Sequence, residues 1–231
     1  LYMSNKCLLI ADHKSVDKQI HIFNKNDFSY LTSIGNFGEG PEEITVMGCL
    51  AIDEAHHQLY VSDHAKQKIF SYDMDSVMVD SLYKPQVKTA MNETLFPSEY
   101  QYINDTLSIA VLIKPTSTST FNQFLGRWNM NTGEMIPMKY THPDIQKKRI
   151  TFAASEKAGI YVECYTRHDL MTICSLDGEL LYNIYGPDWD GGNGNKLQSF
   201  GTVMIGNDKI FVSYCGEDYA RDSFPTKILV F

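Results

Sequence analysis

A glycine-rich segment that recurs along the chain is the feature that most constrains the fold. Residues Ser33–Ile44 read Ser-Ile-Gly-Asn-Phe-Gly-Glu-Gly-Pro-Glu-Glu-Ile, and this density of glycine and proline requires a tight connection instead of a strand. A second segment, Asn183–Gly194, contains Gly-Pro followed by three more glycines. Gly186 follows Gly35 by 151 residues, which is about three steps of 50, a period typical of propeller blades. The chain is therefore predicted to consist of copies of one unit.

Short apolar segments between turn signals predict β-strands along the whole chain. The segment Leu9–Asp12 matches Tyr60–Asp63, and Val77–Leu82 is predicted as a further strand of the second unit. Units of three or four strands, without a convincing amphipathic helix, indicate radial repetition of small sheets. A β-sandwich also has many short strands, but it gives no reason for a repeat of this length. Five equivalent positions, separated by 51, 48, 53 and 50 residues, are Leu9, Tyr60, Ser108, Tyr161 and Phe211.

The predicted fold is all-β: a β-propeller of four-stranded antiparallel blades, with about five blades visible. Residues 1–231 are expected to form a single propeller domain. Both ends of the chain cut into repeats, so we expect a six-bladed type that is truncated at one or both ends. A five-bladed ring, closed by strands shared between the two ends, is the alternative.

Charge and cysteine content exclude several classes of function. The chain carries 28 acidic and 20 basic residues, for a net charge of −8, which argues against nucleic acid and anionic membranes as main partners. Its one marked basic run is Lys147-Lys148-Arg149. Five scattered cysteines without a CxxC pair indicate neither a zinc site nor a disulfide framework. No apolar run approaches the roughly 18 residues that a membrane-spanning helix needs.

The glycine-rich segment resembles the inter-blade turn of NHL-type and TolB-like six-bladed propellers, which commonly read G-x-x-G-x-G-P-G-x-F. Here the turn reads Gly-x-x-Gly-x-Gly-Pro-Glu-Glu-Ile, so Glu42 replaces a glycine and Ile44 replaces an aromatic residue. The segment Leu59–Asp63, followed by Lys68-Ile69-Phe70, is similar to a blade core of these families. The resemblance implies a bacterial propeller, often a lipoprotein, that is exported to the periplasm or cell surface and whose biochemical role is generally undefined.

Candidate ligand-binding residues lie in the loops that join the second and third strands of each unit, because a propeller gathers these loops on one face at the mouth of its channel. The loops are His13–Lys18, His64–Gln67, Lys114–Thr120, Arg167–Asp169 and Cys215–Pro225. Ordinary solvated turns are rich in the same residue types, so this interpretation stays open beside the functional one. The candidate residues are His13, His64, Arg167, His168, Asp169, Glu217, Asp218 and Arg221.

Metal and catalytic signals are weak. Asp188, Asp190 and Asn193 lie in an oxygen-rich stretch that resembles a calcium loop, but Gly192 and Ser199 stand where two ligands of such a loop belong. A flexible inter-blade loop is the alternative interpretation. The sequence contains no G-x-S-x-G, H-E-x-x-H, Walker or Rossmann motif.

The resulting hypothesis is a non-enzymatic, exported, monomeric propeller that binds a protein, peptide or glycan on its loop-rich face. No cofactor and no nucleic acid partner are expected, and any lipid anchor would lie outside this chain. The alternative is a hydrolase or lyase, of the gluconolactonase-like or NHL-lyase type, with a divalent metal such as calcium in the central channel.

Overall fold

The computed structural model describes residues 1–80, 82–92, 94–194, 197–218 and 226–231, and for residues 197, 198, 217 and 218 it describes only the backbone. The chain folds as two compact units. The first consists of Leu1–Ala110 and Trp128–Met135, and the second of Val111–Arg127 and Ile136–Phe231. None of the described helices is long and apolar enough to cross a membrane.

The sheets are antiparallel meanders in which strands that follow one another in sequence pair side by side. The first unit contains two complete four-stranded sheets and a short helix after the seventh strand. The elements are β1 (Tyr2–Met3), β2 (Cys7–Ala11), β3 (Lys18–Asn24) and β4 (Tyr30–Asn36); then β5 (Met47–Asp53), β6 (Gln58–Asp63), β7 (Lys68–Asp73), α1 (Met74–Val79) and β8 (Gln86–Ala90).

The remaining strands form three more sheets. The third sheet has the order β12-β11-β10-β9, the fourth runs from β13 to β16, and the fifth has three strands among the described residues, β17 to β19. The strands are β9 (Phe96–Asn104), β10 (Leu107–Pro115), β11 (Phe121–Trp128), β12 (Met135–Pro137), β13 (Ile150–Ser155), β14 (Ile160–Tyr165), β15 (Leu170–Ser175), β16 (Leu180–Tyr185), β17 (Leu197–Gly206), β18 (Lys209–Asp218) and β19 (Lys227–Val230).

The predicted fold class is confirmed: the chain is an all-β propeller of four-stranded antiparallel blades, and five blades are seen. The five positions that the repeat made equivalent all lie in the second strand of their sheets, β2, β6, β10, β14 and β18. These strands are rich in apolar residues. In β6 and β14, every residue after the first is buried, as expected for short continuous apolar runs.

Each unit is stabilised by a cluster of buried apolar side chains that come from several of its strands. In the first unit Leu9, Ile20 and Phe70 are fully buried in one cluster that includes Ile44 from the glycine-rich turn. In the second unit a separate cluster is built from β13 to β18, and its fully or nearly fully buried members are Val162, Cys164, Met171, Phe200 and Val212.

The glycine-rich turn between β4 and β5 is held by the ammonium group of Lys66. Its Nζ donates hydrogen bonds to the carbonyl oxygens of Gly38 (3.3 Å) and Gly40 (2.6 Å), and also to that of Glu43. Gly35 has a φ of +75°, and an added Cβ there would lie 3.0 Å from Ile44 Cδ1. Ile44 thus packs directly against Gly35, where an added side chain would force Ile44 to shift and would be disfavoured by the positive φ.

The prediction of a strand at Val77–Leu82 is wrong, because α1 occupies Met74–Val79. The Asp73 carboxylate caps this helix by accepting a 2.7 Å hydrogen bond from the Ser76 N–H. Val77 is buried in the core of the first unit while Val79 is exposed. The fourth strand of this sheet is instead β8, which follows the helix.

Replacing Lys66 by methionine is expected to lower the free energy of unfolding by about 2 kcal/mol, because the half-buried turn carbonyls lose a charged donor. Urea unfolding followed by circular dichroism measures this change. Lys14→Met, at an exposed lysine of the same unit, is the control and should be neutral. Equal stability of the two variants would contradict the anchoring role of Lys66.

Candidate functional site

In the first unit, the structure brings the candidate residues His13 and His64 to the same stretch of backbone. His13 Nδ1 lies 3.2 Å from the carbonyl oxygen of Met47, and the backbone N–H of His64 donates to the carbonyl oxygen of Val46 at 2.9 Å. Gly48 makes room for the His64 ring, since a Cβ at this glycine would lie 2.5 Å from His64 Nε2. Both histidines thus flank the beginning of β5.

The His64 ring is largely packed inside the protein. Its ring lies 6.0 Å from the ring of Phe96, and its Nε2 is buried without a hydrogen-bond partner among the described residues. Burial lowers the pKa of this imidazole, and the neighbouring Asp63 carboxylate opposes the shift only in part. The neutral ring is therefore the form that the fold favours.

In the second unit, the candidate residue Asp169 is fully buried and has a structural role. Its Oδ2 accepts hydrogen bonds from the Asp188 N–H (2.7 Å) and the Tyr214 hydroxyl (3.1 Å). Burial raises the pKa of the Asp169 carboxyl, against the lowering effect of these two donors. Asp169 therefore holds the turn that follows β16 against the loop before β15.

The other candidates of this loop differ in exposure. His168 is buried, with its Nε2 3.4 Å from the carbonyl oxygen of Lys147, whereas Arg167 is exposed. Glu217 and Asp218 end β18, but their side chains are not described, and Arg221 lies outside the described residues. Their part in a binding face stays a prediction.

The suggested calcium stretch is organised by packing and internal hydrogen bonds. Asn193 Nδ2 donates to the carbonyl oxygen of Asp190 at 2.7 Å, while the Asp188 N–H is bound by Asp169. The ring of Trp189 lies 5.0 Å from that of Tyr185. Among the residues that the structure describes, no group of three or more His, Cys, Asp or Glu side chains is arranged to hold a metal ion. Metal binding at Asp188, Asp190 and Asn193 stays a prediction.

A large cavity lies entirely within the second unit. It has a volume of about 570 Å³ and is lined by residues from three stretches, Thr116–Leu125, Pro137–Thr141 and Ile145–Arg149, together with Glu163. We call it the basic pocket, because its ionisable lining comprises three cations from the run Lys147-Lys148-Arg149 and the single carboxylate of Glu163. Its volume falls within the range of about 300–1,000 Å³ that is usual for small-ligand sites.

The pocket exists because the connection from β12 to β13 is long and irregular. Residues 138–149 of this connection contain no strand or helix, but four of their side chains, Met138, His142, Ile145 and Lys148, are buried. His142 Nε2 lies 3.1 Å from the Tyr185 hydroxyl, and its ring packs 5.2 Å from that of Trp189. Burial lowers the pKa of His142. The anchored connection forms one wall of the pocket.

The opposite wall is the loop between β10 and β11, which the sequence singled out as one of the five candidate loops. This loop is closed by its own hydrogen bonds: the Thr116 N–H donates to the Thr120 carbonyl oxygen at 2.9 Å, and their hydroxyls are 2.7 Å apart. Phe121 and Gln123 follow in β11, and the Gln123 Oε1 accepts a 3.4 Å hydrogen bond from the Ile150 N–H. The wall is therefore formed by residues that the protein itself holds in place.

A buried ion pair lines the inner part of the pocket. Lys148 Nζ and Glu163 Oε1 are 3.0 Å apart, and both side chains are more than nine-tenths buried. The same ammonium lies 5.6 Å from the centre of the Tyr165 ring, and burial together with the charge of Glu163 raises the pKa of the Tyr165 hydroxyl. The carboxylate of Glu163 is thus neutralised within the protein.

Sequence reasoning did not find this pocket as a site. Two segments that line it stand out in the sequence: the basic run Lys147–Arg149 and the Ser/Thr-rich loop Lys114–Thr120. What joins them is the connection 138–149, whose buried side chains hold the basic run beside the loop between β10 and β11, and such a contact leaves no motif in the sequence.

Comparison with known proteins supports the propeller fold. A family model described as a 6-bladed beta-propeller, DUF5128, matches residues 1–112, slightly less than half of the chain. No curated protein matches the sequence. The resemblance to TolB-like and NHL-type propellers stays a prediction.

Several solved structures are similar in fold and distant in sequence. A DUF4221 family member from Bacteroides vulgatus has 10% identity and a TM-score of 0.65, over 100% of this chain and 76% of that one. Hydrazine synthase from Kuenenia stuttgartiensis has 10% identity and a TM-score of 0.59, over 97% of this chain and 59% of that one. A candidate exported protein from Bacteroides fragilis has 14% identity and a TM-score of 0.55, over 98% and 69%. At these identities the likeness shows the fold alone.

The lowered pKa of His64 makes stability depend on pH. The unfolded chain, with an imidazole pKa of about 6.5, binds a proton more readily than the folded protein does, so stability should fall as the pH drops below that value. His64→Gln should show a smaller loss of melting temperature between pH 7.5 and 5.5. His13→Gln removes an exposed imidazole from the same stretch and should keep the full loss. An unchanged pH dependence in His64→Gln would refute the assignment.

Close packing of Gly186 against Asp169 gives a second stability test. A Cβ at Gly186 would lie 2.0–2.2 Å from the Asp169 carboxylate atoms, so Gly186→Ala should destabilise the protein by about 1–3 kcal/mol. Gly206→Ala is the matched control, because nothing lies within 4 Å of its added Cβ. Chemical unfolding of both variants measures the difference, and a neutral Gly186→Ala would contradict the structural role of Asp169.

Proposed function

We propose that this protein is a non-enzymatic, exported binding propeller that holds a glycan in the basic pocket of its second unit. The observation that carries the proposal is the pocket itself: a cavity of about 570 Å³ whose lining combines hydroxyl, amide and aromatic side chains. Such concave, pre-formed sites with a few placed polar groups are where small ligands bind.

The polar lining matches the chemistry of a sugar. Thr120, Asn122, Gln123, Thr141 and Gln146 all line the pocket, and they contribute hydroxyl and amide groups that can both donate and accept hydrogen bonds. Sugar hydroxyls have the same double capacity, so each can be satisfied in several orientations. A peptide bound through its backbone would instead need an exposed strand edge.

The aromatic lining supports the same ligand class. Phe121, Phe124 and Tyr140 line the pocket, and Phe121 is about two-fifths exposed. An exposed ring offers an apolar face against which the C–H face of a pyranose can pack. The Tyr140 hydroxyl accepts a 2.8 Å hydrogen bond from Asn183 Nδ2, so this ring is held by the sheet.

Export is part of the proposal. It is supported by the resemblance to exported propellers and by the fold that the chain shares with a candidate exported protein of Bacteroides fragilis. Fractionation of the native host tests it, and recovery of the protein with cytoplasmic markers would contradict it.

Removal of the exposed ring tests the proposed ligand site. Phe121→Ala is expected to weaken binding of oligosaccharides by about tenfold, since stacking and burial of one aromatic ring contribute about 1–2 kcal/mol. The measurement is calorimetric titration with the ligands that a glycan array identifies. Tyr182→Ala, at an exposed ring on β16 of the same unit, should bind as the wild type does. Absence of oligosaccharide binding by the wild type would refute the proposal.

A further inference from the structure

The charges of the basic pocket are unbalanced, and this indicates what kind of glycan it binds. Lys148 and Glu163 neutralise each other inside the pocket. Within the described part of the chain, Lys147 and Arg149 have no acidic partner, although both line the cavity. Three other cations of the second unit are paired at the surface: Arg127 with Asp177, Lys139 with Glu179, and Lys157 with Asp208.

Arg149 is held in a defined orientation. Its guanidinium carbon lies 4.6 Å from the centre of the Phe121 ring, and its Nη1 donates a 2.8 Å hydrogen bond to the carbonyl oxygen of Lys148. An arginine stacked on an aromatic face is pre-organised, and less side-chain entropy is lost when its remaining N–H groups bind a planar anion. A carboxylate can accept two parallel hydrogen bonds from the fork of a guanidinium.

The surrounding charge adds to the specificity of this arrangement. The protein carries a net charge of −8, so an anion is repelled by most of its surface and attracted where two unpaired cations face one cavity. Lys147 is exposed, and its flexible ammonium can approach a negative charge from beside Arg149. A neutral sugar would leave both cations without a partner in the complex.

We propose that the basic pocket recognises a glycan that carries a carboxylate, such as a uronic acid residue, with Arg149 and Lys147 binding the carboxylate and Phe121 supporting the guanidinium. This inference rests on the proposed glycan-binding function. Among glycans, the inference assigns the pocket to acidic sugars.

The decisive comparison uses pairs of ligands that differ only in charge. The probes are tetrasaccharides of galacturonic, glucuronic and mannuronic acid and their carboxyl-reduced, neutral counterparts, titrated calorimetrically into the full chain. At least one acidic tetrasaccharide should bind about tenfold or more tightly than its reduced form, the effect of a charged hydrogen bond. Its affinity should fall as the salt concentration rises from about 50 to about 500 mM, because salt screens the attraction between exposed charges.

Variants at the two cations locate the effect. Arg149→Gln and Lys147→Gln should each weaken binding of the acidic ligand by about tenfold and leave the reduced ligand unchanged. Arg127→Gln and Lys157→Gln, which remove paired surface cations of the same unit, are the matched controls and should bind as the wild type does. Unfolding midpoints of all four variants exclude loss of folding as the cause.

Each contrary outcome has a distinct meaning. Equal affinity for acidic and reduced ligands, or full affinity of Arg149→Gln, would overturn the carboxylate inference while the glycan-binding function stands. Absence of binding by every tetrasaccharide would overturn both. Binding of an acidic tetrapeptide in place of the sugars, lost in Arg149→Gln, would assign the pocket to a peptide carboxylate and overturn both proposals.

Discussion

Within each unit, the connections between sheets depend on a buried aspartate that accepts hydrogen bonds from their backbone. In the first unit the fully buried Asp63 accepts from the N–H groups of Thr45 (2.8 Å) and Val46 (3.2 Å), at the end of the glycine-rich turn. In the second unit Asp169 accepts from the N–H of Asp188. The N–H groups of Thr45, Val46 and Asp188 are bound by these carboxylates, and a buried unpaired N–H is costly. The carboxylates of Asp63, at the end of β6, and of Asp169, in the loop before β15, satisfy these N–H groups.

The same constraint explains why binding chemistry accumulates at connections. In the strands, backbone groups are hydrogen-bonded to neighbouring strands and most side chains are packed inside the protein. In the second strands β6 and β14, for example, every residue after the first is buried. Apart from Glu163, the polar side chains that line the pocket come from the loop between β10 and β11, from the beginning of β11 and from the irregular segment 138–149. That segment is held by His142 and Ile145, so Lys147 and Arg149 are carried on a fixed wall although they lie outside regular structure.

Much of the fold could be predicted from the sequence, because the repeat and the strand alternation are local signals. Leu9, Tyr60, Ser108, Tyr161 and Phe211 were equivalent by spacing, and all five occupy second strands. The wrong prediction of a strand at Val77–Leu82 has a physical cause. Asp73 caps a short helix there, and Val77 is the buried residue of that helix. Of the candidate site, the sequence indicated the loop Lys114–Thr120 and the basic run, but it could not show that they face one cavity.

By itself, the sequence determined the class of fold, the length of the repeating unit and the places where the chain must turn, because strand period, glycine conformation and apolar spacing act over a few residues. Only the tertiary structure decided which polar side chains are structural and which face a cavity. The sequence predicted Asp169 as a ligand-binding residue and showed Arg149 only as part of a short basic run. In the structure the Asp169 carboxylate is buried and accepts a hydrogen bond from a backbone N–H, whereas the Arg149 guanidinium packs on the Phe121 ring and lines the pocket. This difference arises from contacts between residues that are far apart in the chain.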